Sequence, residues 1–409
     1  MLSIFLCLLL ILLPLSAETD KPEISISVEQ AVAIALKQNP EIKALEKDLE
    51  IARSQTAINS ALPDTELGLE IAALKFPGHP AVEQETSFGL LQNIPFPGKI
   101  KLRKREGLLG ENEAALRLEK ASILLSARVK KTYYRALFQQ KTGEILLKNL
   151  EFLEEIQKNA ISKYPLQTAG YRDLIRLKLE MARTKNDLIQ AQKELAVCLQ
   201  ELVVLLGLEQ PVKPVLTSRL EFNPEGFRLE EFTASKKQLS PTLRLAKLAR
   251  EKAELNVKQA GLNRLPDFSF GLFSPSKKPG ATGFSFGLSY PLFAGKRISG
   301  ERTLAEAERQ KAGDWLRAVE KFYESRVNQV TAEIGQCLEQ MKIFEENLLK
   351  EIAAELEKAL EDYRLGRLDY LNLLDLFRNS SLIQLEYYRT VYLFYDSLAG
   401  LEAAGEDLE

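Results

Sequence analysis

The sequence predicts a mainly helical chain with a small β part, laid out as two copies of one unit that each carry a strand hairpin and a long antiparallel helical hairpin. Three observations carry this. Short motifs recur about 200 residues apart. Four short segments alternate apolar and small polar residues, the period of a strand. Two proline-free stretches, from Lys99 to Ala160 and from Ile298 to Tyr363, are long for a compact globular domain.

Bulk properties narrow the function classes. The chain has 409 residues, 45% hydrophobic and 27% charged, with a formal net charge of -2. So near-neutral a balance gives no electrostatic case for a nucleic-acid partner. The single histidine, His79, leaves almost no material for histidine-based catalysis or metal binding. Cys7 lies in an apolar leader, while Cys198 and Cys337 fall in helical stretches, where they read as small core residues and not as a disulfide framework. No Ser/His/Asp set, phosphate-binding loop or metal-ligand cluster is found, so no catalytic residue, metal or cofactor is expected.

The elements follow in order. Met1 to Leu13 is almost wholly apolar and is followed by Pro14 and Leu15-Ser16-Ala17, so residues 1–17 read as a signal peptide, although no Lys or Arg precedes the apolar core. The first repeat is expected over 18–209. It opens with a capping-box helix start at Ser27-Val28-Glu29-Gln30. Pro40 interrupts that helix, because the residue before a proline leaves the helical region. A second helix runs to Leu62-Pro63, a strand hairpin covers 64–93, and a long helical hairpin covers 99–206. A Pro-rich linker, 210–227, leads to the second repeat at 228–409, with a strand hairpin at 267–290 and a helical hairpin at 296–400. The repeat rests on paired motifs: Asn39-Pro40-Glu41-Ile42 with Ser240-Pro241-Thr242-Leu243, Ala61-Leu62-Pro63-Asp64 with Arg264-Leu265-Pro266-Asp267, and Pro97-Gly98-Lys99 with Ala294-Gly295-Lys296.

The strands carry the most information. Phe268, Phe270 and Leu272 alternate with Asp267, Ser269 and Gly271, and Phe284, Phe286, Leu288 and Tyr290 with Ser285, Gly287 and Ser289. In the first repeat Leu67, Leu69 and Ile71 alternate with Glu66, Gly68 and Glu70, while Phe88 and Leu90 mark a weaker case. An apolar face opposite a Gly/Ser face suits a barrel strand between lipid and water; a soluble hairpin packed on a core would show the same period. Four strands cannot close a barrel, and open edges are not tolerated in lipid, so a membrane role requires strands from other chains. In the helices, Ile334, Leu338, Met341, Leu348, Ile352 and Leu356 follow a three-and-four spacing, a coiled-coil-like seam. One uninterrupted rod from Lys99 to Ala160 would span ~90 Å. Phe76-Pro77-Gly78-His79-Pro80 and Ser274 to Gly280 are expected as short loops between paired strands, and Gly98 to Arg105, echoed by Lys296, Arg297 and Arg302, is a basic run where strand gives way to helix.

Three features together resemble the TolC-like outer-membrane efflux family over essentially the whole mature chain: the two-copy layout, the run from Val28 to Pro40, and Pro95-Phe96-Pro97-Gly98-Lys99 after the strands. Tyr363-Arg364-Leu365-Gly366-Arg367-Leu368 also looks like the family's turn at the lower end of the second helical hairpin, and Pro-Gly-Lys is similar to the form in the heavy-metal-efflux branch. The resemblance implies a homotrimer in the outer membrane. Four strands per chain would join a shared twelve-stranded transmembrane β-barrel in contact with outer-membrane lipid, and the helices would form a trimeric α-barrel in the periplasm. It further implies a passive exit duct that docks on a periplasmic adaptor and an inner-membrane pump. By the same resemblance, Asn372 and Asp375 match the periplasmic gate positions, Asn372 departing from the acid usual there, and Asp173 matches Asn372 when Tyr171 is aligned on Tyr370. The docking turn is Leu365, Gly366, Arg367 and Leu368; in the first hairpin, Tyr164-Pro165-Leu166-Gln167 lacks the glycine. A solvated helix face explains any one of the acids equally simply. A non-channel periplasmic coiled-coil scaffold is the alternative function, and the strand hairpins are the feature it leaves without a use.

Overall fold

The computed structural model describes residues 22–72, 85–163, 171–208, 212–223, 240–275, 282–344 and 348–407. The leader with Cys7, the loop holding His79, the turn from Tyr164 to Gln167 and any short helix before Pro241 lie outside the described residues. The chain divides into two compact units.

One unit gathers Met1–Asn39, Leu125–Glu225 and Glu333–Gly400. Its β1 (Glu23–Ile26) pairs in parallel with β4 (Lys213–Leu216), Ile26 opposite Leu216. The stretch read as a linker thus contains a strand. Four-residue strands carry too little periodicity to register in a sequence window, and this pair joins segments nearly 200 residues apart. Helix α1 (Val28–Gln38) begins with the full capping box: Ser27 Oγ accepts from the Gln30 N–H, and the Gln30 side chain accepts from the Ser27 N–H. The Tyr133 hydroxyl donates to the Ile26 carbonyl at 2.8 Å and fastens the ribbon to the long helix α3 (Pro97–Lys163). The other members are α4 (Tyr171–Leu206), the end of α6 (Gly295–Ile343), α7 (Leu348–Arg364) and most of α8 (Tyr370–Glu402). Leu153, Ile156, Leu177, Met181, Leu360, Tyr363, Leu373, Leu374 and Phe377 form a continuous core between these helices. The predicted seam is buried at Ile334 and Met341, and Cys198 and Cys337 are buried free thiols, as core residues should be.

The segment expected as one rod from Ile298 to Tyr363 is two helices, α6 and α7. Phe344, in the bend after α6, sets its ring edge-on to Tyr387 with centroids 5.8 Å apart. Anchoring this ring competes with continuing the helix, where an aromatic side chain loses rotamer freedom.

The second unit gathers Pro40–Leu124, Gly226–Ala332 and Leu401–Glu409. It holds α2 (Pro40–Ser60), the start of α3, α5 (Pro241–Leu262) and the greater part of α6. It also holds four antiparallel strands, β2 (Thr65–Ala72), β3 (Glu85–Ile94), β5 (Asp267–Pro275) and β6 (Gly283–Ser289), in the order β2-β3-β5-β6. Ser274 and Pro275, expected in a loop, are the last residues of β5, where Ser274 pairs opposite Phe88. Leu109 and Leu116 of α3 pack with Leu248 and Leu255 of α5, and Leu243 and Ala246 of α5 with Leu316, Val319 and Tyr323 of α6. The chain's tail returns to the start of α5. Gly405, at φ +77, lies directly on the Tyr323 ring, and the buried Glu406 carboxylate accepts from Ser240 Oγ at 2.6 Å, Thr242 N at 2.9 Å and Thr242 Oγ1 at 2.7 Å. A carboxylate over unpaired N–H groups is the favoured partner for a helix start.

Candidate functional site

Residues opposite one another in an antiparallel sheet share a face, so the register assigns the two faces of this one. One row runs Leu67, Leu90, Leu272, Phe284 across all four strands; its neighbours hold Phe270 with Phe286, and Ile94 with Phe268 and Leu288. The opposite face holds Gly68, Gly89 and Gly283, then Gly271 with Ser285, and Ser269 with Gly287, interrupted by Leu91 and Phe273. Among the described residues the apolar face is exposed: Leu67 and Phe284 are each 71% exposed and Phe286 is 75% exposed. Such a contiguous exposed apolar face marks an interaction with lipid or with another protein surface. The outer strands of the sheet are β2 and β6.

The second candidate region is the end of the α7–α8 hairpin, in the other unit. The Arg367 N–H donates to the Asp362 carbonyl at 2.8 Å and the Gly366 N–H to the Tyr363 carbonyl at 3.1 Å, the paired bonds of a Schellman helix end. Gly366 takes φ +75, where any other residue except Asn is strained. This turn presents Leu365, 58% exposed, and Arg367, while Leu368 folds back onto the helical core. Arg367 lies 3.7 Å from Asp362. Asp369 then caps α8, accepting from the Asn372 N–H and the Asn372 Nδ2, both at 2.8 Å.

One turn further, Arg378 reaches across from α8 to α4. Its Nη2 and Nε donate to Glu180 Oε2 at 2.6 and 3.1 Å, and Asp375 stands 4.0 Å away on the same helix. The Glu180 hydrogen bond holds the guanidinium above even its usual value. Asp173, 3.9 Å from Arg176, faces the same corner. Burial, chiefly, pushes the Tyr363 phenol up, and Asp173 adds to it. Burial likewise pushes the Tyr370 phenol well up, against the pull of Arg378. The buried Tyr370 hydroxyl has no hydrogen-bond partner among the described residues.

The predicted gate and docking residues therefore share one end of the helical unit but differ in their engagements. Asp375 is exposed; Asn372 is held by the cap of its own helix; Asp173 is half-buried beside Tyr363 and Tyr370. Sequence reasoning missed Glu180 and Arg378, which are 198 residues apart. No local spacing reports such a pair, although Arg378, a cation three residues from Asp375, was a visible hint. Among the described residues no group of three His, Cys, Asp or Glu could hold a metal ion, and no helix is long and apolar enough to cross a membrane.

The sequence of residues 235–404 matches the outer membrane efflux protein family. No curated protein matches the chain. Among solved structures, the outer-membrane channel OprN is similar at TM-score 0.78 and 17% identity, covering 92% of this chain and 89% of its own. The open state of the MtrE outer membrane channel of Neisseria gonorrhoeae is similar at TM-score 0.74 and 18% identity, covering 93% and 88%. The CmeC outer membrane channel of Campylobacter jejuni gives 0.75 and 17%, covering 93% and 86%. The second half of the chain thus carries the sequence pattern of the outer membrane efflux protein family, and the chain over most of its length has the fold of these outer-membrane channels.

Proposed function

We propose that three copies of this chain join their sheets edge to edge into a twelve-stranded barrel in the outer membrane, while their helical hairpins form the wall of a periplasmic duct. The observation that carries this is the four-stranded sheet, whose Leu and Phe face is exposed and whose outer strands β2 and β6 end the order. In lipid every backbone N–H and C=O needs a partner, so such edges are stable only against one another. An even strand number of this size lies within the range of membrane barrels.

The mechanism is passive. Solutes delivered by an inner-membrane pump through a periplasmic adaptor leave by the duct. The Leu365–Leu368 turn is the docking point, its exposed leucine and arginine offered to the adaptor's helical tip. Asp375 is the exposed charged member of the gate. Asn372 is tied to Asp369, which leaves Asp375 and the partly covered Asp173 to set the charge of the constriction, and a ring of carboxylates favours cations. The Glu180–Arg378 bridge clamps α4 to α8 beside it. A leader at 1–17 takes the chain out of the cytoplasm.

The deciding experiment is purification of the mature chain in detergent, with mass measurement and reconstitution into a planar bilayer. A trimer with stepwise ion conductance is expected, cation-selective and less so in Asp375→Asn. A monomer freely soluble without detergent overturns the proposal.

A further inference from the structure

The chain contains one joint twice and fills it once. Where β3 is followed by α3, Lys99 Nζ donates to Asp267 Oδ1 at 2.8 Å and to the Leu265 carbonyl at 3.0 Å, and the Phe96 N–H donates to Asp267 Oδ1 at 2.9 Å. The Lys99 side chain is only 12% exposed. One carboxylate at the head of β5 thus locks the exit of the neighbouring strand, and with it the register of first-repeat β3 against second-repeat β5.

Each member of this lock has a counterpart one repeat away. Leu62-Pro63-Asp64 corresponds to Leu265-Pro266-Asp267, and Phe293, Gly295 and Lys296 correspond to Phe96, Gly98 and Lys99. The counterparts stand at the two open ends of the sheet. Asp64 immediately precedes outer strand β2, and Phe293 and Lys296 follow outer strand β6. They are uncovered there: Asp64 and Lys296 are exposed, and Phe293 is 99% exposed where Phe96 is half-buried. The two halves of a lock that is closed elsewhere in the same chain call for a partner carrying the same halves.

We infer that Lys296 and the Phe293 amide of one copy bind the Asp64 carboxylate of the next copy, repeating between chains the lock that Lys99 and Asp267 make within one. The inference rests on the barrel proposed above and adds what fixes its register. Inside the chain Gln92 lies opposite Phe270 and Leu90 opposite Leu272. Matching Pro95 to Pro291 and Asp267 to Asp64, with Leu292 as the one extra residue between that proline and the Phe293–Lys296 group, carries this register to the open edges, placing Leu288 opposite Leu67 and Phe286 opposite Leu69. All four belong to the apolar face, whereas a slip of one residue would set apolar against small side chains.

The test uses the full-length chain carrying Asp64→Cys and Lys296→Cys; the native Cys198 and Cys337 are buried. A short thiol-specific bifunctional reagent is expected to give covalent dimers and higher species from the double variant and none from either single variant. In parallel, Lys296→Asp should lower the detergent-stable oligomer ~10-fold by setting like charges face to face, and adding Asp64→Lys should restore it. Cysteines at Leu69 and Phe286 report the register separately. If light scattering shows a wild-type oligomer but the Asp64/Lys296 pair neither cross-links nor swaps charge productively, this joint is wrong and the barrel stands. If the wild type is monomeric in detergent, both fall.

Discussion

The four-stranded sheet and the helical core near the α7–α8 turn obey opposite rules. In the core, Ile156, Leu177 and Leu373 are completely buried, and the charges of Glu180, Arg378 and Asp375 lie toward its margin. In the sheet, Leu67, Phe284 and Phe286 face outward and the small residues turn away. Each buried leucine in the core contributes roughly 1.5–3 kcal/mol by leaving water. The same residue on the sheet contributes nothing until something apolar covers it. A chain combines both rules only where lipid or another apolar surface covers that face of the sheet.

Substitutions can break or sharpen this contrast. The largest effect belongs to the core: Leu373→Ala should cost about 2–5 kcal/mol through lost burial and a cavity, read as a lowered unfolding midpoint in detergent. An unchanged midpoint would mean that this core is not tightly packed. Next comes Phe286→Arg. It should leave the helical circular dichroism intact while costing up to about 2–4 kcal/mol at the bilayer midplane, read as loss of the outer-membrane-inserted oligomer. Normal insertion would show that this face does not meet lipid. Gly366→Ala at the turn should cost about 1 kcal/mol in chemical denaturation, with Gly366→Asn costing less, because only the left-handed backbone is at stake and no atom crowds the site. The smallest effect is at high pH. Burial, with a lesser contribution from Glu406, pushes the Tyr323 phenol from its ordinary 10.0 up to about 12. A raised value means the folded form keeps its proton longer, so this contribution is whole below the ordinary phenol pKa and is lost as pH rises toward the shifted one. Tyr323→Phe should flatten the alkaline fall in stability, followed by thermal melts across that window; an identical slope would remove Tyr323 from the account.

Sequence alone carried the elements whose signal is local or periodic. The Ser27 capping box, the break at Pro40 and the alternation in β5 and β6 each lie within a few residues, and each stands where expected. What stayed hidden depends on partners far along the chain. The β1–β4 ribbon joins short strands 190 residues apart, and the Glu180–Arg378 bridge joins two helices of different repeats. The end of α6 at Ile343 was also hidden, because neither Pro nor Gly marks it and the ring of Phe344 turns onto Tyr387 from elsewhere in the fold. The site was legible only as positions. That Asn372 is held by Asp369 while Asp375 stays exposed is a property of the α8 cap in three dimensions.

The carboxylate of Glu406 has a consequence in time. It satisfies the start of α5 from 164 to 166 positions downstream. At ordinary ribosome speeds that interval is on the order of ten seconds. Throughout it Ser240 and Thr242 wait without their acceptor, and for about its second half the Tyr323 ring waits without the glycine that covers it. The strand-bearing unit is therefore an unfinished object while its polypeptide is still emerging, open at the start of α5 until the last residues of the chain are made.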